Sequence, residues 1–102
     1  MPVLHNLACL LSGMLLANTV PHFVHGVSGD RFPTPFSKPP GKGLSSPTTN
    51  MVWALVNLVA GSALARFGGL VHGGNLKLAL FFAGVAALGL WSSRIFAQKH
   101  TH

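Results

Sequence analysis

Apolar residues fill three long stretches of this chain, and a segment rich in proline and glycine separates the first from the second. With their flanks, the stretches cover about residues 3–27, 47–67 and 76–97. A helix of about 20 residues crosses the hydrocarbon core of a bilayer. The pattern therefore predicts an all-α membrane protein, with three transmembrane helices in a single domain over residues 1–102.

Local signals place the ends of the second and third helices. Ser46 is a typical N-cap residue and Pro47 suits the first helical position, so the second helix should begin at residue 47. Gly68 and Gly69 can end that helix, and Asn75 can cap a third helix that begins at residue 76. Small residues at a spacing of four in each span favour close helix packing. These residues are Gly13 and Ala17, Gly61 and Ala65, and Ala79, Ala83 and Ala87.

The long segment between the first two spans, residues 28–46, is more than a flexible linker. Five prolines and three glycines lie between residues 28 and 50, which excludes a regular helix or strand there. Phe32 and Phe36 supply apolar anchors, so we expect an ordered loop that folds back onto the helix ends or the lipid headgroups. Lys42 lies between two glycines, but the spacing of a nucleotide phosphate loop is absent. This segment therefore suits only a nonspecific contact with a lipid phosphate.

Composition agrees with a membrane protein and excludes some partners. Hydrophobic residues make up 49% of the chain and charged residues only 8%, which leaves no room for a separate soluble domain. The net charge of +6 is spread over loops and helix ends, without the basic face that nucleic-acid binding needs. The partners expected are membrane lipid and either a larger membrane complex or further copies of this chain.

The distribution of cations predicts the orientation. With three spans, the loop and the C-terminal tail share one side of the membrane, which carries five Lys and Arg residues against two on the other. Positively charged loops remain in the cytoplasm. We therefore expect a cytoplasmic loop and C-terminus, with the N-terminus outside.

Polar side chains cluster at the end of the first span. Asn18, His22 and His25 share one helical face, and Asp30 and Arg31 follow just beyond it. Polar residues inside a membrane normally face other helices or water and are candidates for function. His22 and His25 could bind a metal together, or either could bind a haem iron. Hydrogen bonding between helices is the commoner use of such groups.

Enzymatic activity is not expected from these residues. The chain has one Asp and no Glu, so paired carboxylates cannot act as general acid and base. Asp30 also lies too close in sequence to Ser28 and His25 for a convincing nucleophilic triad. We predict that the protein is not an enzyme, and its sequence requires no cofactor.

One block of sequence carries a resemblance to other proteins. Residues 22–36, HFVHGVSGDRFPTPF, and residues 39–47, PPGKGLSSP, together make up about a quarter of the chain. The block resembles that of small, uncharacterised bacterial inner-membrane proteins. This resemblance implies a bacterial inner-membrane location and assigns no activity.

Two functions from different classes follow from these features. The first is a structural or accessory membrane protein whose proline-rich loop contacts a partner or lipid. The second is a helical bundle that binds a metal or haem, or conducts a small solute, around His22 and His25. A metal assay or an optical spectrum separates the two.

Overall fold

The computed structural model describes residues 2–97, which form three α-helices joined by one long and one short connection. Helix α1 runs over Pro2–Val27, α2 over Pro47–Gly68 and α3 over Gly74–Ala97. No strand forms within residues 2–97, so the prediction of an all-α fold is confirmed. The predicted cytoplasmic tail beyond residue 97 lies outside the described residues.

All three helices are long and apolar enough to cross a membrane. Their best 18-residue windows have mean hydropathies of 1.6, 1.4 and 1.6, and many of their large apolar side chains face outward. A soluble domain would bury these side chains to remove them from water. The fold is therefore consistent with an integral membrane protein with several spans.

The helix boundaries agree closely with the sequence signals except at α3. As predicted, α2 begins at Pro47, and the Ser46 hydroxyl accepts a hydrogen bond of 3.1 Å from the Thr49 N–H. Helix α3 begins at Gly74, two residues before the predicted residue 76. A backbone bond from the Gly73 N–H to the Leu70 carbonyl closes the preceding turn, so the helix starts sooner than a cap at Asn75 implies.

The chain divides into two compact units, and α1 and α2 each contribute to both. In the first unit, residues 1–17 with 60–102, the backbone of Gly84 lies directly against the Leu10 carbonyl of α1. A Cβ atom at Gly84 would collide with that carbonyl oxygen, whereas a Cβ atom at Gly89 would meet open space. The close approach of α1 and α3 therefore depends on glycine at residue 84.

Glycines also bring α1 and α2 together within the first unit. A Cβ atom on Gly61 would lie 2.8 Å from the Leu16 side chain, and one on Gly68 would lie 2.7 Å from the Cys9 sulfur. Beyond this contact, the Lys77 Nζ donates a 2.6 Å hydrogen bond to the Gly68 carbonyl. This bond satisfies a carbonyl at the end of α2 that has no partner within the helix.

The second unit, Asn18–Val59, contains the end of α1, the long loop and the start of α2. Gly26 of α1 lies close to the backbone of α2, because a Cβ atom there would be 2.8 Å from the Met51 nitrogen. The loop crosses back on itself at an isolated antiparallel bridge between Phe32 and Ser45. The loop is therefore hydrogen-bonded to itself and to α2.

Candidate functional site

The centre of the second unit is Asn50, which lies in the first turns of α2 and is fully buried. Its side-chain nitrogen is 3.0 Å from the Phe32 carbonyl, 3.2 Å from the Ser45 carbonyl and 3.0 Å from the Ser46 carbonyl. Its side-chain oxygen is 2.7 Å from Nδ1 of His22 on α1. One amide side chain thus joins both ends of the loop to two helices.

These contacts fix the protonation of the His22 ring. Three carbonyl oxygens surround one end of the Asn50 amide, so that end must be the NH₂ group. The other end is then the oxygen, which can only accept a hydrogen bond. His22 consequently carries its proton on Nδ1 and donates it to Asn50, and in the neutral ring Nε2 retains the lone pair.

A second polar contact lies along the same pair of helices. The Asn18 amide of α1 donates a 3.1 Å hydrogen bond to Oδ1 of Asn57 on α2, and Asn57 donates in turn to the Trp53 carbonyl at 2.8 Å. Asn18 bonds to Asn57, and His22, four residues later on α1, bonds to Asn50, seven residues earlier on α2. The two helices therefore run antiparallel here. Asn18 and His22 thus both hydrogen-bond across the helix pair.

Phe32 packs against both histidine rings of α1. Its ring stacks on His25 with a centroid distance of 4.3 Å and meets His22 edge-on at 5.4 Å. Only 4% of Phe32 is exposed, so this side chain anchors the start of the loop to α1. Nδ1 of His25 lies 3.8 Å from an Asp30 carboxylate oxygen, too long for a hydrogen bond.

Hydroxyl groups hold the rest of the loop in a compact shape. The Thr34 and Ser45 hydroxyls form a buried hydrogen bond of 2.6 Å, and the Thr34 hydroxyl also accepts the Phe36 N–H at 3.1 Å. The Ser37 hydroxyl donates to the Thr34 carbonyl at 2.7 Å. These bonds replace water for backbone groups that no helix or sheet satisfies.

Part of the loop remains exposed on top of this framework. Phe36 is 64% exposed although its ring contacts Trp53 edge-on at 5.1 Å. These two rings line a groove of about 450 Å³ together with residues of the first turns of α2, namely Thr48, Thr49, Val52 and Val56. Arg31, Lys42 and Leu44 are also exposed. The loop therefore presents apolar and basic side chains outward.

The structure places the predicted site residues in two different roles. His22 and Asn18 bond to asparagines of α2, whereas His25 and Phe32 stack on each other. Within residues 2–97, no three His, Cys, Asp or Glu side chains come close enough to hold a metal ion together. Binding of a metal or haem by His22 and His25 stays a prediction.

Asn50 was not among the predicted site residues, although the sequence contains a signal for it. Asn50 and Asn57 are seven residues apart and lie on the same face of a mainly apolar helix. Two such amides in a membrane span need polar partners, and the polar face of α1 is the place to look for them.

Comparison with known proteins gives no relative: no family model matches the chain, and no curated protein or solved structure is detectably similar to it. The function proposed below therefore depends on the geometry of the loop and helices alone.

Proposed function

We propose that this protein is a structural or accessory component of a membrane complex, and that its long loop is a docking surface for a protein partner. The observation that carries the proposal is that buried hydrogen bonds to Asn50 hold the loop in place while Phe36 stays exposed. Ordering a long loop has an entropic cost that a mere connection need not bear. The connection from α2 to α3 covers only residues 69–73.

The exposed side chains suit a protein partner. Aromatic rings and a nearby groove are typical of the centre of a protein interface. Lys42 and Arg31 add positive charge beyond this apolar centre. The proposal includes neither a catalytic activity nor a resident cofactor.

Photo-crosslinking tests this docking surface. A photoreactive phenylalanine analogue at residue 36 should give a discrete protein adduct in cells, because that side chain faces outward from the fixed loop. The matched control carries the analogue at Phe82, an exposed position on α3. Lipid adducts alone from residue 36, or the same protein bands from both positions, would show that the loop contacts lipid or nothing specific.

We further propose that the protein lies in a bacterial inner membrane with the loop in the cytoplasm and the N-terminus outside. The excess of Lys and Arg on the loop side supports this orientation. Lys42→Cys and Val71→Cys provide exposed labelling sites on the two connections, in a Cys9→Ala background. On intact spheroplasts, an impermeant maleimide should label residue 71 and leave residue 42 unlabelled. Labelling of both from outside would contradict three spans in this orientation.

A further inference from the structure

A second groove, in the first unit, combines an arginine and a histidine with apolar walls. It has a volume of about 490 Å³ at the end of α2 and the turn that follows. Arg66 and His72 line it together with apolar side chains that include Leu16 and Leu70. We propose that this groove binds an anionic phospholipid, with the headgroup at Arg66 and His72 and an acyl chain along the leucines.

Charge favours an anion at this groove. Arg66 carries a full positive charge, and the Lys77 Nζ bonds to the Gly68 carbonyl beside Gly69, which also lines the groove. Asp30 is the one acidic side chain of the sequence, and it belongs to the other unit. Among the described residues, the two cations therefore have no acidic side chain in their own unit, and a lipid phosphate would supply a partner.

The end of a helix opposes an anion, but more weakly than the cations attract it. The C-terminus of α2 carries the equivalent of about half a negative charge. Arg66 and Lys77 carry two formal positive charges in the same region, so the net field attracts an anion. A guanidinium group also binds phosphate through two parallel hydrogen bonds. A choline headgroup does not prevent these bonds, but its positive charge weakens the attraction between the lipid and Arg66.

The shape of the groove distinguishes a lipid from a free phosphate ion. Its walls are mainly apolar. Ser62 and Ala65 lie on the same side of α2 as Arg66 and line the groove with it. An inorganic phosphate would leave these walls in contact with water or lipid tails, whereas a phospholipid covers them with its own chain. The site is independent of the loop and of the proposed function.

Lipid competition on the purified full chain in a neutral detergent tests the proposal. Native mass spectrometry should show phosphatidylglycerol binding about 25-fold tighter than phosphatidylcholine, since each of the two cations near the headgroup contributes about fivefold. Arg66→Gln should reduce this preference to about fivefold. The matched variant Arg94→Gln removes an equal charge from an exposed position outside the groove and should retain the preference.

A charge-neutral variant provides an independent check. Ser62→Trp fills the groove without changing its charge, and we expect it to reduce retention of phosphatidylglycerol as strongly as Arg66→Gln. Circular dichroism establishes that each variant keeps its helices. Equal binding of both lipids to the wild-type protein would overturn the proposal. So would equal losses in Arg66→Gln and Arg94→Gln, or full retention in Ser62→Trp.

Discussion

Replacing Asn50 by leucine should destabilise the protein by about 3 kcal/mol, because each net hydrogen bond contributes about 1 kcal/mol and a buried unpaired group costs about 1–3 kcal/mol. The substitution removes the amide bonds to three backbone carbonyls and leaves the His22 Nδ1–H without its acceptor. The carbonyls of Phe32 and Ser45 keep their bonds across the bridge, which limits the loss. Leucine matches the shape of asparagine closely, so no large cavity forms.

The matched control is Asn57→Leu, at the other fully buried amide of α2. It breaks only the contacts with Asn18 and the Trp53 carbonyl, and we expect a loss of about 1 kcal/mol. Unfolding in detergent, followed by circular dichroism, gives both values. Trypsin should also cleave after Arg31 and Lys42 faster in Asn50→Leu than in Asn57→Leu. Equal stability and equal cleavage in the two variants would show that Asn50 contributes no more to the fold of the loop than Asn57 does.

The two histidines should respond differently to replacement by leucine. His22→Leu leaves the Asn50 oxygen without a donor inside the protein, so we expect a loss of about 1–3 kcal/mol. His25→Leu exchanges a ring stacked on Phe32 for another apolar contact at a partly exposed position. Its loss should stay below about 1 kcal/mol, since partly exposed contacts contribute little.

The same variants separate the proposed accessory role from the cofactor hypothesis. If His22 serves only to hold Asn50, the purified wild-type protein and both variants will have equal metal content and equal visible spectra. A metal or haem that copurifies with the wild-type protein and is lost from both variants would favour a cofactor site instead. In that case the stability difference between His22→Leu and His25→Leu would become secondary.

The helices could be predicted because their signals are local. An apolar run of about 20 residues, a serine before Pro47 and glycines after Phe67 each act within a few residues of the feature they determine. The close packing at Gly13 and Gly61 was also predicted, since small residues in membrane spans favour near contact of backbones. The helix against which each glycine packs was not predicted, because the spacing of small residues does not identify which helices pair.

The arrangement around Asn50 could not be predicted for a physical reason. Its three carbonyl partners belong to residues up to 18 positions away, and a histidine 28 positions away completes the set. Such bonds depend on how the loop folds back, which no local pattern determines. The polar face of Asn18 and His22 was found from its spacing alone, and the structure adds the asparagines to which each bonds.

Crosslinking at residue 36 in variant backgrounds asks directly whether the loop fixed by Asn50 forms a docking surface. We expect the protein adduct formed from residue 36 to be lost with Asn50→Leu and kept with Asn57→Leu, at equal expression of the two variants. Loss in the first variant alone would tie partner contact to the fixed loop. An adduct of equal yield in both variants would show that the partner binds without the conformation that Asn50 holds, and that the fixed loop is not the docking surface.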